Sequence, residues 1–274
     1  MIKPLLDKLE PFAMMEDGGL QKALIAVRVL NQKAEADAAV ISELAQTAGG
    51  VKLIMQTALL HPEPAMREGA AALLATCVAT GDAAFVAASL NQGAASLPAA
   101  LVRMCHEEDR KAKPAEEGQE AIDPDLPTRR HATACLCSML VAVDPDASLR
   151  VLGGEWPGVV GTPFALLQNS DAGIRTRAAS LLCELLGADG AGKLSGAATP
   201  APTAEQCRKR AELVVEFATK DPEKVALAVA KGLADEDEAV SGPSGAVLRA
   251  LQASTAAAAL KDELVKAGAV PGAA

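Results

Sequence analysis

Three segments of this chain repeat one pattern, in which an arginine is followed by a run of alanine, leucine and other small residues. They are Arg67–Leu74, Arg129–Leu136 and Arg175–Leu182, and a weaker fourth copy begins at Arg208. A second pattern, a helix-like run that reaches a glycine and continues into apolar residues, alternates with the first at Ile41–Val51, Phe85–Leu97, Leu149–Val160 and Asp262–Val270. The alternation predicts a helical unit of about 40–47 residues that must bury its apolar face against its neighbours.

The spacing of both patterns indicates one insertion. Gly49 and Gly93 are 44 residues apart, whereas Gly93 and Gly154 are 61 apart. The first two arginine copies are separated by 62 residues and the next two by 46. Both intervals lengthen across the polar stretch 106–125, which we expect to be a solvated insertion.

The composition predicts a single helical domain over residues 1–274. Half of the residues are hydrophobic but only 2% are aromatic, and the abundant alanine favours closely packed helices. The repeats are clearest over 34–187, the Gly-, Ala- and Pro-rich stretch 187–203 is expected to be a flexible linker, and 204–274 forms the C-terminal helices. Within that last part the predicted helices are Ala204–Thr219, Pro222–Asp235, Gly245–Ala253 and Thr255–Ala267, with the acidic run 235–238 as a loop.

Charge and targeting signals limit the expected partners and the expected cellular location of the protein. The net charge of −9 argues against nucleic-acid binding, which needs a clustered basic surface. The N-terminus lacks the apolar run of a secretory signal, and no segment approaches the length of a membrane span. We therefore expect an intracellular, cytoplasmic protein whose six cysteines are free thiols packed among apolar residues.

At these residues the chain resembles the armadillo-repeat family, in which each unit has one short helix and two longer ones. The resemblance implies an all-α fold, a right-handed α-solenoid of about four armadillo-like repeats whose third helices line a concave groove. It also implies core positions in those helices, at Ala70, Leu73, Leu74, Cys77, Ala132, Cys135, Leu136, Met139, Ala178, Leu181, Leu182 and Leu185.

The same resemblance places partner-binding side chains along the groove. The predicted residues are Arg67, Thr76, Arg129, Ser138, Arg175, Ser180, Glu184 and Arg208. For the arginines an alternative is open, because an arginine in the first turn of a helix often pairs with a neighbouring acid or packs its stem on the preceding helix. The Trp and Asn ladder by which nuclear-import receptors of this family hold basic peptides is missing, so that function is not expected.

The function implied is a non-enzymatic scaffold or adaptor that binds a protein through the groove or the solenoid ends, with membership of a larger assembly as a variant. An alternative rests on Lys22–Leu24, Gly49–Val51 and Arg67–Cys77, which are similar to armadillo-type nucleotide-exchange factors of DnaK-class chaperones. Such proteins clasp the chaperone's ATPase domain and disfavour nucleotide binding through reciprocal coupling.

Other chemical motifs are weaker. Gly187–Lys193 has the glycine and lysine spacing of a phosphate-binding loop, but a helix precedes it and Leu194 follows the lysine, so we expect no nucleotide site. Metal ligands could be suggested by Cys105 with His106 and by His131, Cys135 and Cys137, although Cys135 falls at a core position and a zinc site needs four suitable ligands. Trp156 is expected to pack. We predict no cofactor, no metal and no small-molecule substrate.

Overall fold

The fold is described here from a computed structural model that covers residues 2–91, 96–106, 123–156, 158–189, 194, 201–254 and 258–270. Most of the expected insertion 106–125 and of the expected linker 187–203 lies outside these residues. The chain divides into two compact units, Met1–Met139 and Leu140–Ala274. The interpretation of 1–274 as one domain stays a prediction.

The first unit holds nine helices within its described residues, the last of which ends just beyond the unit boundary. They are α1 Lys3–Leu6, α2 Pro11–Met15, α3 Gly19–Ala36, α4 Ala38–Gln46, α5 Gly50–Leu60, α6 Pro64–Ala79, α7 Ala83–Leu90, α8 Leu97–His106 and α9 Leu126–Val141. A 3₁₀ turn over Asp7–Leu9 joins α1 to α2. The sets α4–α5–α6 and α7–α8–α9 each comprise a first, a second and a third helix, and the third helix α6 packs along α3.

The second unit repeats this order. Its helices are α10 Pro145–Arg150, α11 Thr162–Leu166, α12 Ala172–Leu186, α13 Ala204–Lys220, α14 Pro222–Leu233, α15 Glu238–Ala253 and α16 Ala258–Lys266. A π-helical turn over Val151–Glu155 extends α10. The third helix α12 packs along the third helix α15, as α6 does along α3 in the first unit.

Aspartate side chains cap the starts of three helices. The side chains of Asp82, Asp144 and Asp171 accept hydrogen bonds from backbone N–H groups in the first turns of α7, α10 and α12. These bonds satisfy amides that have no partner within the helix. At the other end of α12, Gly187 adopts a left-handed conformation with φ 63°, which glycine accepts at little cost.

The third helices contribute a continuous stripe to the core of each unit. All twelve residues predicted to face the core on α6, α9 and α12 are buried. Their spacing places them on one stripe of each helix, so burying that stripe removes a continuous apolar surface from water. The all-α architecture and the core positions are therefore confirmed.

The C-terminal part differs from the prediction at α15. This helix begins at Glu238, seven residues before the predicted start at Gly245, and contains Pro243. The acidic run 235–238 is accordingly a loop only as far as Asp237, which caps the helix by accepting from Ala239 N. Burial of Val240 and Pro243 offsets the loss of the hydrogen bond that a proline cannot donate.

Candidate functional site

In the first unit, helix α3 and the third helices α6 and α9 line a polar groove of about 380 Å³. Its polar lining comes from Arg28, Asn31, Gln32, Glu35, Glu68 and His131. The family resemblance predicts partner contacts in a groove of this kind, but the residues that line this cleft include none of the eight predicted partner-binding residues.

A glycine lets the two walls of the groove approach closely. Gly69 of α6 lies against Val27 of α3, and a Cβ at Gly69 would come within 2.8 Å of Val27 Cγ1. This separation is shorter than carbon atoms tolerate without displacement. The width of the groove between α3 and α6 therefore depends on the missing side chain at Gly69.

At the edge of the groove, one short hydrogen-bond chain links α6 to α3. Thr76 Oγ1 on α6 donates to Asn31 Oδ1 on α3 at 2.9 Å, and Asn31 Nδ2 donates to Glu35 Oε1 at 2.8 Å. Thr76 is one of the predicted site residues, whereas Asn31 is not. A signal was present, since Asn31 follows Lys22 by nine residues as Thr76 follows Arg67.

Charges of both signs face the groove. The Arg28 and Glu68 side chains are exposed, and neither has a hydrogen bond or ion pair with any part of the chain that the structure describes. Such groups keep their hydrogen-bonding capacity for a ligand. The groove thus offers a guanidinium on one wall and a carboxylate on the other.

The arginine in the first turn of α6 is buried rather than facing solvent. Arg67 is buried, its Nη1 donates to the carbonyls of His61 and Pro62, and its Nε donates to Asp125 Oδ1 at 2.7 Å. Asp125 lies immediately before α9. The guanidinium therefore ties the loop before its own helix to the start of the next third helix.

The second unit contains the same arrangement. Arg175 Nη1 donates to the carbonyls of Asn169 and Ser170, and Arg175 Nε lies 2.5 Å from Asp235 Oδ2. These hydrogen bonds from Arg175 hold the pKa of the Asp235 carboxyl below its usual value. We call this arrangement, an arginine on a third helix bound to the two preceding loop carbonyls and to an aspartate ahead of the next third helix, the arginine clasp.

The remaining predicted residues are placed as follows. Arg129 is buried and forms an ion pair with Asp123 in the loop before its own helix. Ser138 and Ser180 are buried, whereas Glu184 is exposed. Arg208 is exposed on α13 and pairs with Glu205 and Glu212 of the same helix. For Arg67 and Arg175 the structure shows the acid-pairing alternative, and partner contact by the eight residues stays a prediction.

The cysteines do not form a chemical centre. All six are free thiols, and five are buried while Cys207 is exposed. Burial raises the pKa of Cys77 and of Cys105 to about 12, which keeps these thiols protonated and unreactive. Within the described ranges no three His, Cys, Asp or Glu side chains are grouped as metal ligands. Trp156 is buried, and residues 190–193 of the predicted loop motif lie outside the described residues.

Comparisons with solved structures identify the fold. Two designed armadillo repeat proteins superpose on this chain with TM-scores of 0.60. The first, in complex with the peptide (KR)4, is 15% identical, and the match covers 98% of this chain and 89% of that protein. The second, computationally designed for modular peptide recognition, is 18% identical, and the match covers 99% of this chain and 90% of that protein. A further engineered protein matches with a TM-score of 0.58 and 16% identity over 98% of this chain and 85% of its own. The fold is an armadillo-like repeat solenoid.

No protein-family model matches this armadillo-like chain, and no curated protein matches its sequence. The structural neighbours are therefore similar in backbone arrangement alone. Separately, none of the helices in the described ranges combines the length and apolar content needed to cross a bilayer.

Proposed function

We propose that this armadillo-like chain is a non-enzymatic scaffold or adaptor that holds an extended segment of a partner protein in the groove of α3, α6 and α9. The observation that carries the proposal is the pair of exposed side chains Arg28 and Glu68, which face that groove without partners in the described part of the chain. Two structural neighbours with the same fold are described as peptide-bound or as designed for peptide recognition.

The chemistry of the groove favours a segment of mixed charge. The guanidinium of Arg28 suits a carboxylate, to which it can donate two parallel hydrogen bonds. Glu35 and Glu68 suit lysine or arginine side chains on the bound segment. The amide of Gln32 can donate to or accept from a peptide main chain.

The test is capture of partners from the native cells by the tagged protein, followed by crosslinking and mass spectrometry. The variant carries Arg28→Glu with Glu68→Lys, which reverses both groove charges. The matched control is Lys33→Glu, because Lys33 is exposed on the same helix α3 and does not line the groove. We expect to capture a partner whose crosslinks map to α3 and α6. The groove variant should capture at least tenfold less of this partner, and the control should capture as much as the unaltered chain. Equal capture of the partner by the unaltered chain, the groove variant and the control would reject the groove as the binding site.

The exchange-factor alternative makes a different prediction. The purified chain would accelerate release of a labelled nucleotide from the ATPase domain of a DnaK-class chaperone, and the groove variant would slow that release. Membership of a larger assembly predicts instead co-migration with one complex at fixed stoichiometry. An intracellular, cytoplasmic location stays a prediction, which imaging of the tagged protein in its native cells checks.

A further inference from the structure

Helix α5 presents a second surface, which shares no residue with the groove of the third helices. Lys52, Gln56 and Leu60 follow one another at four-residue intervals and are all exposed, so they form a ridge along the helix. A depression of about 610 Å³ lies on one side of Gln56 and Leu60, and another of about 230 Å³ lies on the other side. We call the ridge and its two depressions the α5 surface.

The α5 surface is strongly apolar for exposed protein. Leu60, which lines both depressions at the end of the ridge, is 60% exposed, and Met15 on the wall of the larger depression is 83% exposed. Leu9, Met14 and Leu53 continue that wall, while Met55 and Leu59 line the smaller depression. Single exposed apolar residues are ordinary, but several gathered on one concave surface indicate a binding site. Flexible methionine side chains suit a surface that must adapt to a ligand.

The charges on this surface are of one sign. Lys52 and Arg103 border the smaller depression, are exposed, and pair with no described residue. No carboxylate is found among the described residues that line either depression, although the chain has 35 acidic and 26 basic residues. A ligand that fits this surface must therefore be apolar along the ridge and acidic near Lys52 and Arg103.

We propose that the α5 surface docks an amphipathic helix of a partner protein that carries acidic residues beside its apolar stripe. A ridge of residues four apart with a depression on each side is the shape into which a second helix packs, since the ridges of one helix fill the grooves of the other. From Lys52 to Leu60 the ridge spans about 12 Å, at 1.5 Å per residue, which corresponds to a little over two turns. The docked helix inserts apolar residues spaced three and four apart into the depressions.

The experiment selects ligands from a phage-displayed library of 16-residue helical peptides on the full-length protein. Each enriched peptide is then measured by fluorescence anisotropy against three proteins: the unaltered chain, Leu60→Glu and Ile25→Glu. Ile25 is the matched control, because it is also 60% exposed and, although it lies on α3, it lines neither depression. Thermal unfolding of each variant confirms that it remains folded.

We expect enriched peptides with apolar residues at helical spacing and an excess of Glu and Asp over Lys and Arg. Their affinity falls at least tenfold for Leu60→Glu and stays within twofold for Ile25→Glu. The double variant Lys52→Glu with Arg103→Glu binds these acidic peptides at least fivefold more weakly, and its thermal unfolding temperature is the same as that of the unaltered chain.

Three results overturn the proposal. In the first, no peptide distinguishes the unaltered chain from Leu60→Glu, or the enriched peptides are basic. In the second, the unaltered chain sediments as a dimer and Leu60→Glu sediments as a monomer, which means that a second copy of the chain covers the α5 surface. In the third, the chain binds vesicles of phosphatidylserine and phosphatidylcholine in a manner that Leu60→Glu abolishes, and the occupant is a membrane. Groove variants leave all of these measurements unchanged, so this proposal and the proposed groove function fail independently.

Discussion

Arg67 on α6 and Asp125 at the start of α9 form a buried ion pair, with Nε 2.7 Å and Nη2 2.5 Å from the same carboxylate oxygen Oδ1. Both side chains are shielded from water, where an unpaired charge is costly. The pair is therefore structural, and its two members belong to successive repeats.

Removing one member should destabilise the chain strongly. For Arg67→Gln we expect the free energy of unfolding to fall by about 3–5 kcal/mol, because the Asp125 carboxylate loses its buried counter-charge. Urea unfolding followed by circular dichroism measures this change. The control is Arg208→Gln, because its pairs with Glu205 and Glu212 are exposed and such pairs contribute little to stability. Similar losses for both variants would contradict a structural role for Arg67.

The clasp in the second unit predicts a pH dependence. The pKa of Asp235 in the folded chain is lowered by its hydrogen bonds from Arg175, below an unfolded value of about 3.9. The carboxylate therefore adds stability at all pH values above about 4, and this contribution disappears as the pH falls from there through the folded pKa. Asp235→Asn should cost a constant amount between pH 7 and pH 5.

Urea unfolding at pH 7, 5, 4, 3 and 2 tests this dependence. The stability difference between the unaltered chain and Asp235→Asn should shrink below pH 4. Glu236→Gln, an exposed neighbour, should change stability by about 0.5 kcal/mol or less. A difference for Asp235→Asn that grows at acidic pH would refute the assignment.

Adding a methyl group at Gly69 should force α3 and α6 apart. The new Cβ of Gly69→Ala would lie 2.8 Å from Val27 Cγ1, so we expect a loss of about 1–3 kcal/mol, offset in part by up to about 1 kcal/mol of helix propensity. Val27→Ala removes the obstructing methyl groups. In the double variant the two losses should be less than additive, as a double-mutant cycle measures; strict additivity would mean that the contact does not form.

Arg210 on α13 is a buried cation that forms no arginine clasp with the described residues. Its side chain is 4% exposed, and its Nε and Nη2 atoms have no hydrogen-bond partner in the described part of the chain. We expect Arg210→Met to raise the free energy of unfolding by about 1–3 kcal/mol, because a polar group of similar length is replaced by an apolar one. Arg210→Lys, which keeps the charge, should give no such gain. A loss of stability in Arg210→Met would show that the guanidinium is satisfied in solution.

Thiol chemistry offers a direct test of the packing. Five cysteines are buried and Cys207 is exposed, and burial raises the pKa of Cys183 to about 11. A thiol-reactive reagent at pH 8 should therefore modify one cysteine within minutes and all of them after unfolding in guanidinium. Cys207→Ser should abolish the fast reaction. Rapid modification of further thiols in the native protein would mean that the third helices are more loosely packed than described.

The sequence patterns were most informative where structure depends on neighbouring residues. The bounds of helix α12, Ala172–Leu186, depend on local signals, because the Asp171 side chain caps its start and Gly187 ends it. The core positions were implied by the resemblance to the armadillo-repeat family, and their spacing fits one buried stripe of a helix. By contrast, the predicted start of α15 at Gly245 was seven residues late, and packing of α15 along α12, where Cys183 Sγ donates to the Pro243 carbonyl at 3.1 Å, stabilises the helix through Pro243.

The arginines show why the candidate site was harder to predict. Their repetition was visible, but the acceptors of Arg67 and Arg175 lie 58 and 60 residues further along the chain. No local pattern contains that pairing, so an outward-facing ladder and an internal clasp could not be separated from sequence. The groove cation Arg28 and the groove residue Asn31 were missed because α3 carries lysine in place of the repeated arginine.

The arginine clasp also links the melting of one repeat to that of the next. If the loop carrying Asp125 or Asp235 opens, the third helix of the preceding repeat, α6 or α12, is left with a cation that has lost its carboxylate. Partial unfolding from within either unit therefore carries an electrostatic penalty in the adjacent repeat, which couples the two as nearest neighbours in a cooperative array. Each pair of clasped repeats should consequently exchange its backbone amides with solvent as a single cooperative block rather than one helix at a time.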